Sequence, residues 1–495
     1  MESKSSELRQ MRNLELARWR EREKTALDLL QVVGELRFDR GIDLTLFRHQ
    51  IYDTRPSEIL RAHEDGHSYS SRPIHIELTL SIAYSVAQIE DIGACKVDLG
   101  RLATEWLAES HSFENIDAFV SDRLKGFSST EELTQPNEDS GCDVVLYGFG
   151  RIGRALTRLL VEQTGRGNQL RLRAIVLRAK LDDQHLELSK RISLLKTDSI
   201  HGEFAGMAEV SADSEGFIIN GNHIPVIFAN KPEELDYNSF GIKDALLIDN
   251  TGVWRDRAGL ERHLRPGIQS VLLTAPGDEV PNIVVGINHE KYNWEQVRLA
   301  SAASCTTNAV APLMQVLDSE LGIERAHIET IHAYTSDQNL LDNFHRKPRR
   351  GRSAPLNMVV TSTGAAKAVV KVIPSLEGKL TGNAVRVPVP NGSLVIMNIT
   401  TSRKVNRDEV NEIVRKASLN GPLCEQIRYS DSQEYVSSSI VGEDSTCVFD
   451  APSTRVSTDG YGLSVYAWYD NEFGYSCQVM RLAKYMAGVH RKRFI

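Results

Sequence analysis

Long apolar runs are missing from this 495-residue chain. No stretch reaches the about 18 uncharged apolar residues that a membrane-spanning helix needs, so none is expected. Cysteine is scarce: Cys95, Cys142, Cys305, Cys424, Cys447 and Cys477 are the only six. They are scattered, with no C-x-x-C pair and no His-rich neighbourhood at zinc spacing. Neither a disulfide framework nor a metal site is expected. An excess of positive charge is missing as well. The net charge of −8 argues against nucleic acid or an anionic membrane as partner. The opening MESKSSELRQMRNLELARWREREK lacks an apolar segment and is too rich in Glu for a transit peptide. The expected location is cytoplasmic.

What is present divides the chain in two. Residues 1–140 carry 17 Lys/Arg and 26 Asp/Glu, a net −9, while the other 355 carry 41 and 40, a net +1. With 41% hydrophobic and 25% charged residues there is ample material for globular cores. Residues 5–33 read as a helix, with Leu8, Met11, Leu14, Leu16, Trp19 and Leu27 at partial 3–4 spacing. The runs 40–63, 75–93, 98–109 and 113–126 also read as helical. Residues 1–126 are therefore expected to be an acidic, all-α extension, with a coiled-coil arm as the alternative for its first helix. The polar stretch 127–141, holding Pro136 and Gly141, reads as a linker.

The texture then changes. A short apolar strand, Asp143–Tyr147, runs into a helical pattern from Arg151, and a second strand follows at 170–177. This β-α-β alternation predicts an α/β fold with a parallel sheet. Longer alternating strands from about residue 326 onward predict a second domain on a mostly antiparallel sheet. Gly148, Gly150 and Gly153 form a G-x-G-x-x-G between the first strand and its helix. Such a turn lets a backbone approach a pyrophosphate closely and aims the helix N-terminus at it. Where an NAD-selective site usually places an acid, at the end of the second strand, this chain has Arg178. An Arg there pairs with a 2′-phosphate, so NAD or NADP is expected as cofactor. The competing reading makes Arg178 a surface charge, with Asp182 or Asp183 reaching the ribose.

Residues 301–308, SAASCTTN, precede an apolar helical run. A Cys at a helix start has its thiolate favoured by the dipole and by nearby N–H donors, which suits Cys305 as a nucleophile. The strings GFGRIGR, SCTTN, TIHAYTSDQ (330–338), TSTGAAKAV (361–369), GKLTGNAVRVPVPN (378–391) and WYDNEFGYS (468–476) occur in this order. Together they resemble the phosphorylating glyceraldehyde-3-phosphate dehydrogenase family over about 142–488. The resemblance implies a Rossmann-type NAD(P)-binding domain over 142–304, completed by a last helix at about 471–490. It implies an α+β catalytic domain over 305–470.

The resemblance also implies roles. Cys305 attacks the aldehyde and His332 serves as its base. Ser304, Thr306, Thr363 and Gly364 hold the attacking inorganic phosphate. Thr335 and Arg386 hold the phosphate of a small phosphorylated aldehyde. Asn471 binds the nicotinamide carboxamide, and Phe149, Arg151 and Ile152 line the cofactor cleft. Either Arg350 or Arg352 of the basic stretch 346–352 is placed to enter the site. A homotetramer is implied. Two departures stand out: Asp337 replaces a family hydroxyl, and Leu177-Arg178 replaces Asn-Asp, which puts strict NAD use in question. Alternatives are erythrose-4-phosphate dehydrogenase, or a regulatory or binding relative with weak catalysis whose residues 1–140 meet a regulatory partner.

Overall fold

The computed structural model describes residues 2–69, 72–128, 141–163, 169–489 and 491–495. Most of the expected linker, residues 129–140, lies outside these. The chain forms two compact units. One comprises Met1–Gly141, Thr164–Gln169 and His490–Ile495; the other comprises Cys142–Gln163 and Leu170–Val489.

In the first unit, helix α1 (Glu2–Arg40) leaves residues 4–20 exposed and buries Ala26, Leu29, Val32, Val33 and Leu36 further along. There follow β1 (Asp43–Leu46), β2 (His49–Gln50), α2 (Pro56–Glu64), α3 (Ile76–Gln88), β3 (Cys95–Asp98), α4 (Leu99–Glu109) and α5 (Ile116–Leu124). The β1–β2 hairpin turns on Phe47 and Arg48, both at positive φ (48° and 69°). Asp98 holds that strained pair in place. Its buried carboxylate accepts from the Phe47 N–H (3.0 Å) and the Arg48 N–H, and it also caps α4 through the Arg101 N–H (2.9 Å).

The helices expected at 5–33, 75–93, 98–109 and 113–126 are present, but the run 40–63 holds the β1–β2 hairpin and becomes helical only from Pro56. The all-α expectation is corrected by a four-stranded sheet in the order β2–β1–β3 and then the strand Lys492–Phe494. The reason is physical. Strands of four residues or fewer, buried on most positions, carry no alternation to read, and a fourth strand arriving from residue 492 leaves no local signal at all.

The second unit holds two large sheets. The first uses β4 (Gly141–Tyr147), α6 (Arg151–Val161), β5 (Gln169–Leu177) and α7 (Gln184–Lys196). A small pair follows, β6 (Thr197–Asp198) with β7 (Gly202–Glu203). Then come β8 (Ala208–Val210), β9 (Gly216–Ile219), β10 (Asn222–Phe228), β11 (Ala245–Asp249), α8 (Arg257–Glu261), β12 (Ile268–Leu273) and β13 (Leu299–Ser301). The spatial order is β13–β12–β11–β4–β5–β10, with β9 and β8 added antiparallel at one edge. Numbered by appearance, the six inner strands run 3-2-1-4-5-6, the doubly wound order, with its switch point between β4 and β11. Runs such as Val144–Leu146 and Leu246–Ile248 are fully buried, as strands covered on both faces must be.

Helix α9 (Cys305–Leu321) leads into the second sheet. It contains β14 (Ile323–Ala333), β15 (Val359–Thr361), α10 (Ala365–Val372), β16 (Leu380–Val387) and β17 (Ser393–Thr401). It continues through α11 (Arg407–Leu419), β18 (Ile427–Ser430), β19 (Cys447–Asp450), β20 (Arg455–Val456) and β21 (Gly462–Tyr469). The order is β15–β16–β14–β17–β21–β19–β18. Pairing is mostly antiparallel, with β14–β16 and β18–β19 parallel. Helix α12 (Phe473–Met486) contributes Tyr475, Val479, Met480, Leu482 and Ala483 to the same buried cluster as β4, β5 and α6. Among the described residues no helix is long and apolar enough to cross a membrane.

Candidate active site

The glycine turn sits where β4 meets α6. Gly148 has φ +107°, and a Cβ there would lie 2.7 Å from Asn250 Oδ1. A Cβ on Gly153 would lie 2.6 Å from the Gly148 carbonyl oxygen. Only glycine fits either place. Gly150 differs: a Cβ there would meet nothing within 4 Å, so open space lies over the start of α6, where the first helical N–H groups are free of helix partners. That cradle fits a dinucleotide pyrophosphate. Phe149, expected along the cleft, is buried instead and packs on Phe217 with ring centroids 5.6 Å apart. The Arg151 guanidinium is turned onto Glu472 and Asp198, which leaves its backbone N–H for a phosphate. Ile152 is half-buried against the core.

Arg178, past the end of β5, is exposed and has no carboxylate partner among the described residues. Its loop is pinned by buried Glu187, which accepts the N–H groups of Lys180 (2.8 Å) and Leu181 (2.9 Å). Asp183, offered as an alternative ribose ligand, caps α7 through the Leu186 N–H (2.9 Å).

Cys305 is the first residue of α9. Ser304 caps that helix by accepting the Thr307 N–H (3.0 Å). Ala303, just before it, takes φ +56°, a strained value for a residue with a Cβ. Its N–H donates to Ser301 Oγ (3.0 Å) and its carbonyl accepts the Tyr475 hydroxyl (2.9 Å), which hold the bend that presents Cys305. Cys305 Sγ lies 3.6 Å from Nε2 of His332, on β14. Arg386, on β16, is in register with His332. Its Nη1 lies 2.9 Å from His332 Nδ1 and donates to the Ala333 carbonyl (2.8 Å). Arg386 Nε is buried without a hydrogen-bond partner, and among the described residues no carboxylate makes a direct ion pair with the guanidinium, Asp337 acting on it only from farther away. An uncompensated buried cation beside a nucleophile suits an anionic ligand.

Burial pushes the Cys305 thiol up, with the Arg386 charge pulling it back down. Burial, then Arg386, brings the His332 imidazole down to about 3. Both shifts favour the neutral forms, thiol and imidazole, though Cys305 itself is only partly buried. The helix-start argument alone points the other way; enclosure outweighs the dipole here.

The remaining expected residues fall as follows. Thr363 accepts the Ala365 N–H (3.1 Å) and stands with Gly364 at the start of α10. Thr335 is half-buried at the end of the His332 strand. The buried Thr306 hydroxyl is 3.1 Å from the Tyr469 hydroxyl, which also meets Thr330 (2.7 Å), so it is committed beneath Cys305. Of the two candidate arginines, Arg350 is nearly buried, paired with Asp337 and bonded to Thr361 Oγ1 (3.2 Å). Arg352 pairs with Asp342 at the surface. The buried Asn471 accepts the Ser393 hydroxyl at Oδ1 (2.9 Å), and Ser393 in turn accepts the Ala333 N–H (3.1 Å). Sequence reading passed over Ser393 and Tyr469. Tyr469 was in view within the WYDNEFGYS string, whereas Ser393 gave no signal. Among the described residues no group of three or more His, Cys, Asp or Glu is placed to hold a metal.

Comparison with known proteins agrees with this geometry. Residues 142–257 match the family model described as the glyceraldehyde 3-phosphate dehydrogenase NAD binding domain, and 304–471 match that of the C-terminal domain. A glyceraldehyde-3-phosphate dehydrogenase-like protein of Pseudomonas aeruginosa is 43% identical over 94% of this chain and all of its own length. Glyceraldehyde-3-phosphate dehydrogenase of Streptomyces coelicolor is 38% identical over 69% of this chain and 98% of its own. Glyceraldehyde-3-phosphate dehydrogenase 2 of Trichormus variabilis is 40% identical over 70% and 98%.

Proposed function

The chain belongs to the glyceraldehyde-3-phosphate dehydrogenase family, and on that premise we propose that it is a phosphorylating glyceraldehyde-3-phosphate dehydrogenase using NAD or NADP. The carrying observation is Cys305 Sγ at 3.6 Å from His332 Nε2, with the Arg386 guanidinium beside them lacking a direct ion pair among the described residues.

His332 Nε2 takes the thiol proton as Cys305 Sγ bonds to the aldehyde carbon and returns it to the carbonyl oxygen, giving a thiohemiacetal and a neutral imidazole. The Cys305 N–H and the imidazole steady the oxygen. Arg386 and Thr335 hold the substrate phosphate, so the carbon is delivered to sulfur. Bound NAD supplies the hydride acceptor that converts the thiohemiacetal to a thioester. His332 removes the hydroxyl proton in that conversion. Inorganic phosphate, seated at Thr363 and Gly364 with Ser304 and Thr306 nearby, attacks the thioester carbon. The C–S bond breaks, an acyl phosphate leaves and Cys305 is restored. Asn471 holds the carboxamide of the cofactor, and Gly148, Gly150 and Gly153 admit its pyrophosphate. The domain division follows as 142–304 with the last helix, and 305–470. The assembly is a cytoplasmic homotetramer.

Steady-state assays with glyceraldehyde-3-phosphate and erythrose-4-phosphate, each with NAD and NADP and with or without phosphate, test this reading. Turnover on the three-carbon aldehyde should require phosphate, and Cys305→Ser should lose at least about a thousandfold in kcat. Full turnover without phosphate, or an active Cys305→Ser enzyme, would sink it.

A further inference from the structure

The segment Arg491–Ile495 lies outside both family-matched stretches, as does nearly all of the unit it joins. It adds a strand to β3 in parallel, pairing Lys492 with Cys95, Arg493 with Lys96 and Phe494 with Val97. The fully buried core of that unit is drawn from residues 26–124; of the added segment, only Phe494 packs at its margin. The segment therefore contributes almost nothing to the fully buried apolar core of that unit. The lining of its groove is selective. The Arg491 guanidinium donates to the Gly41 carbonyl and to Asp43 Oδ2, both at 3.0 Å. Lys492 Nζ donates to the Gly126 carbonyl (2.6 Å). The Phe494 ring lies edge-on to Phe127 at 6.4 Å and under the Arg101 guanidinium at 4.6 Å, while Arg101 also donates to the Ile495 carbonyl. Charge agrees: residues 1–140 carry a net −9 and Arg491-Lys492-Arg493 carry three positive charges.

We propose that the acidic N-terminal unit is a strand-capture module whose groove along β3 takes an extended basic–aromatic segment, with Arg491–Ile495 as its resident ligand. The physical basis is β-augmentation. Backbone pairing at a sheet edge supplies affinity, and pockets for alternate side chains supply selectivity. A three-residue parallel ladder is short enough to open locally without unfolding the sheet behind it. The occupant is this segment of the module's own chain.

The test uses the full chain carrying Arg491→Glu and Phe494→Ala, which removes the resident ligand, and a fluorescent peptide RKRFI. Fluorescence anisotropy should show saturable binding to this variant and at least about tenfold weaker binding to the unaltered chain, whose own segment competes. A peptide carrying the Phe494→Ala change should bind at least about tenfold more weakly, with no folding risk attached to that comparison. Absence of saturable peptide binding would overturn the proposal, as would indifference to the peptide's Phe. Loss of amide-exchange protection throughout β1 and β3 in the double variant would also overturn it, because the segment would then be an integral strand.

Discussion

At the scale of single residues, the site depends on which hydrogen each polar group has to give. Ser393 accepts the Ala333 N–H, so its own proton goes to Asn471 Oδ1. That fixes the Asn471 amide with its nitrogen free to donate to a bound carboxamide oxygen. Ser393→Ala should raise the dissociation constant for NAD about fivefold, the size of one hydrogen bond, read by titration calorimetry. An unchanged constant would remove Ser393 from this role. Arg178 stands past the end of β5 with no carboxylate ion pair among the described residues, on a loop held by Glu187. Arg178→Asp should lower kcat/KM with NADP about tenfold or more while leaving NAD turnover within about twofold, because a carboxylate there repels a 2′-phosphate. Equal loss with both cofactors would contradict the assignment. Cys305, His332 and the glycines were legible from sequence because their chemistry is tied to short local strings. The opposed pKa directions of Cys305 and His332 were not, since they come from enclosure by strands distant in sequence.

At the scale of elements, a charged cluster ties the β6–β7 pair to the segment after β21. His201 lies 3.4 Å from Asp470 Oδ2 and 3.5 Å from Asp198 Oδ1, and Asn391 donates to Asp470 Oδ1 (3.0 Å). Arg151 meets both Asp198 and Glu472. Burial pulls His201 down, but Asp470, with Glu472 and Asp198, outweighs it and leaves the imidazole above its ordinary value. A histidine raised on folding adds stability that is fully present below about pH 6.5 and is lost as pH climbs through the raised value. Asp198 and Asp470 run oppositely. Burial raises both, but backbone N–H donors and Arg151 for Asp198, and His201 with Gly442 for Asp470, hold them depressed. Their contribution is lost only in acid. The melting temperature of the enzyme should therefore fall from about pH 6 to about pH 9, and His201→Asn should flatten that slope in differential scanning calorimetry. A slope that survives the substitution would show that other groups cause it. The parallel pairing of β14 with β16, which sets His332 beside Arg386, is another element-scale fact. Strand patterns predict the two strands but not their register.

At the scale of the whole molecule, one loop of the second unit is conspicuously apolar at its surface. Phe344 is 91% exposed, and Leu340, Leu341, Leu356 and Met358 are mostly exposed with it. Patches of this kind on a folded protein mark contact with another chain. With the homotetramer proposed above, Phe344→Asp should shift the solution mass toward smaller species in light scattering. A tetramer mass unchanged at micromolar concentration would take this loop out of the assembly. The same scale separates what each source of information decides. Read alone, the sequence determined the family and the βαβ start and singled out Cys305 and His332, because ordered local motifs carry them and hydrophobic period carries the rest. It could not reveal that residues 1–126 hold a sheet, because that sheet takes its fourth strand from residues 492–494, and pairing between such distant segments leaves no periodic trace. Only the tertiary structure decided that Phe149 turns into the core, that Arg386 has no direct ion pair among the described residues, and that the surroundings of Cys305 and His332 favour their neutral forms. Each of these depends on what surrounds a side chain in space, which residue type and spacing along the chain do not contain.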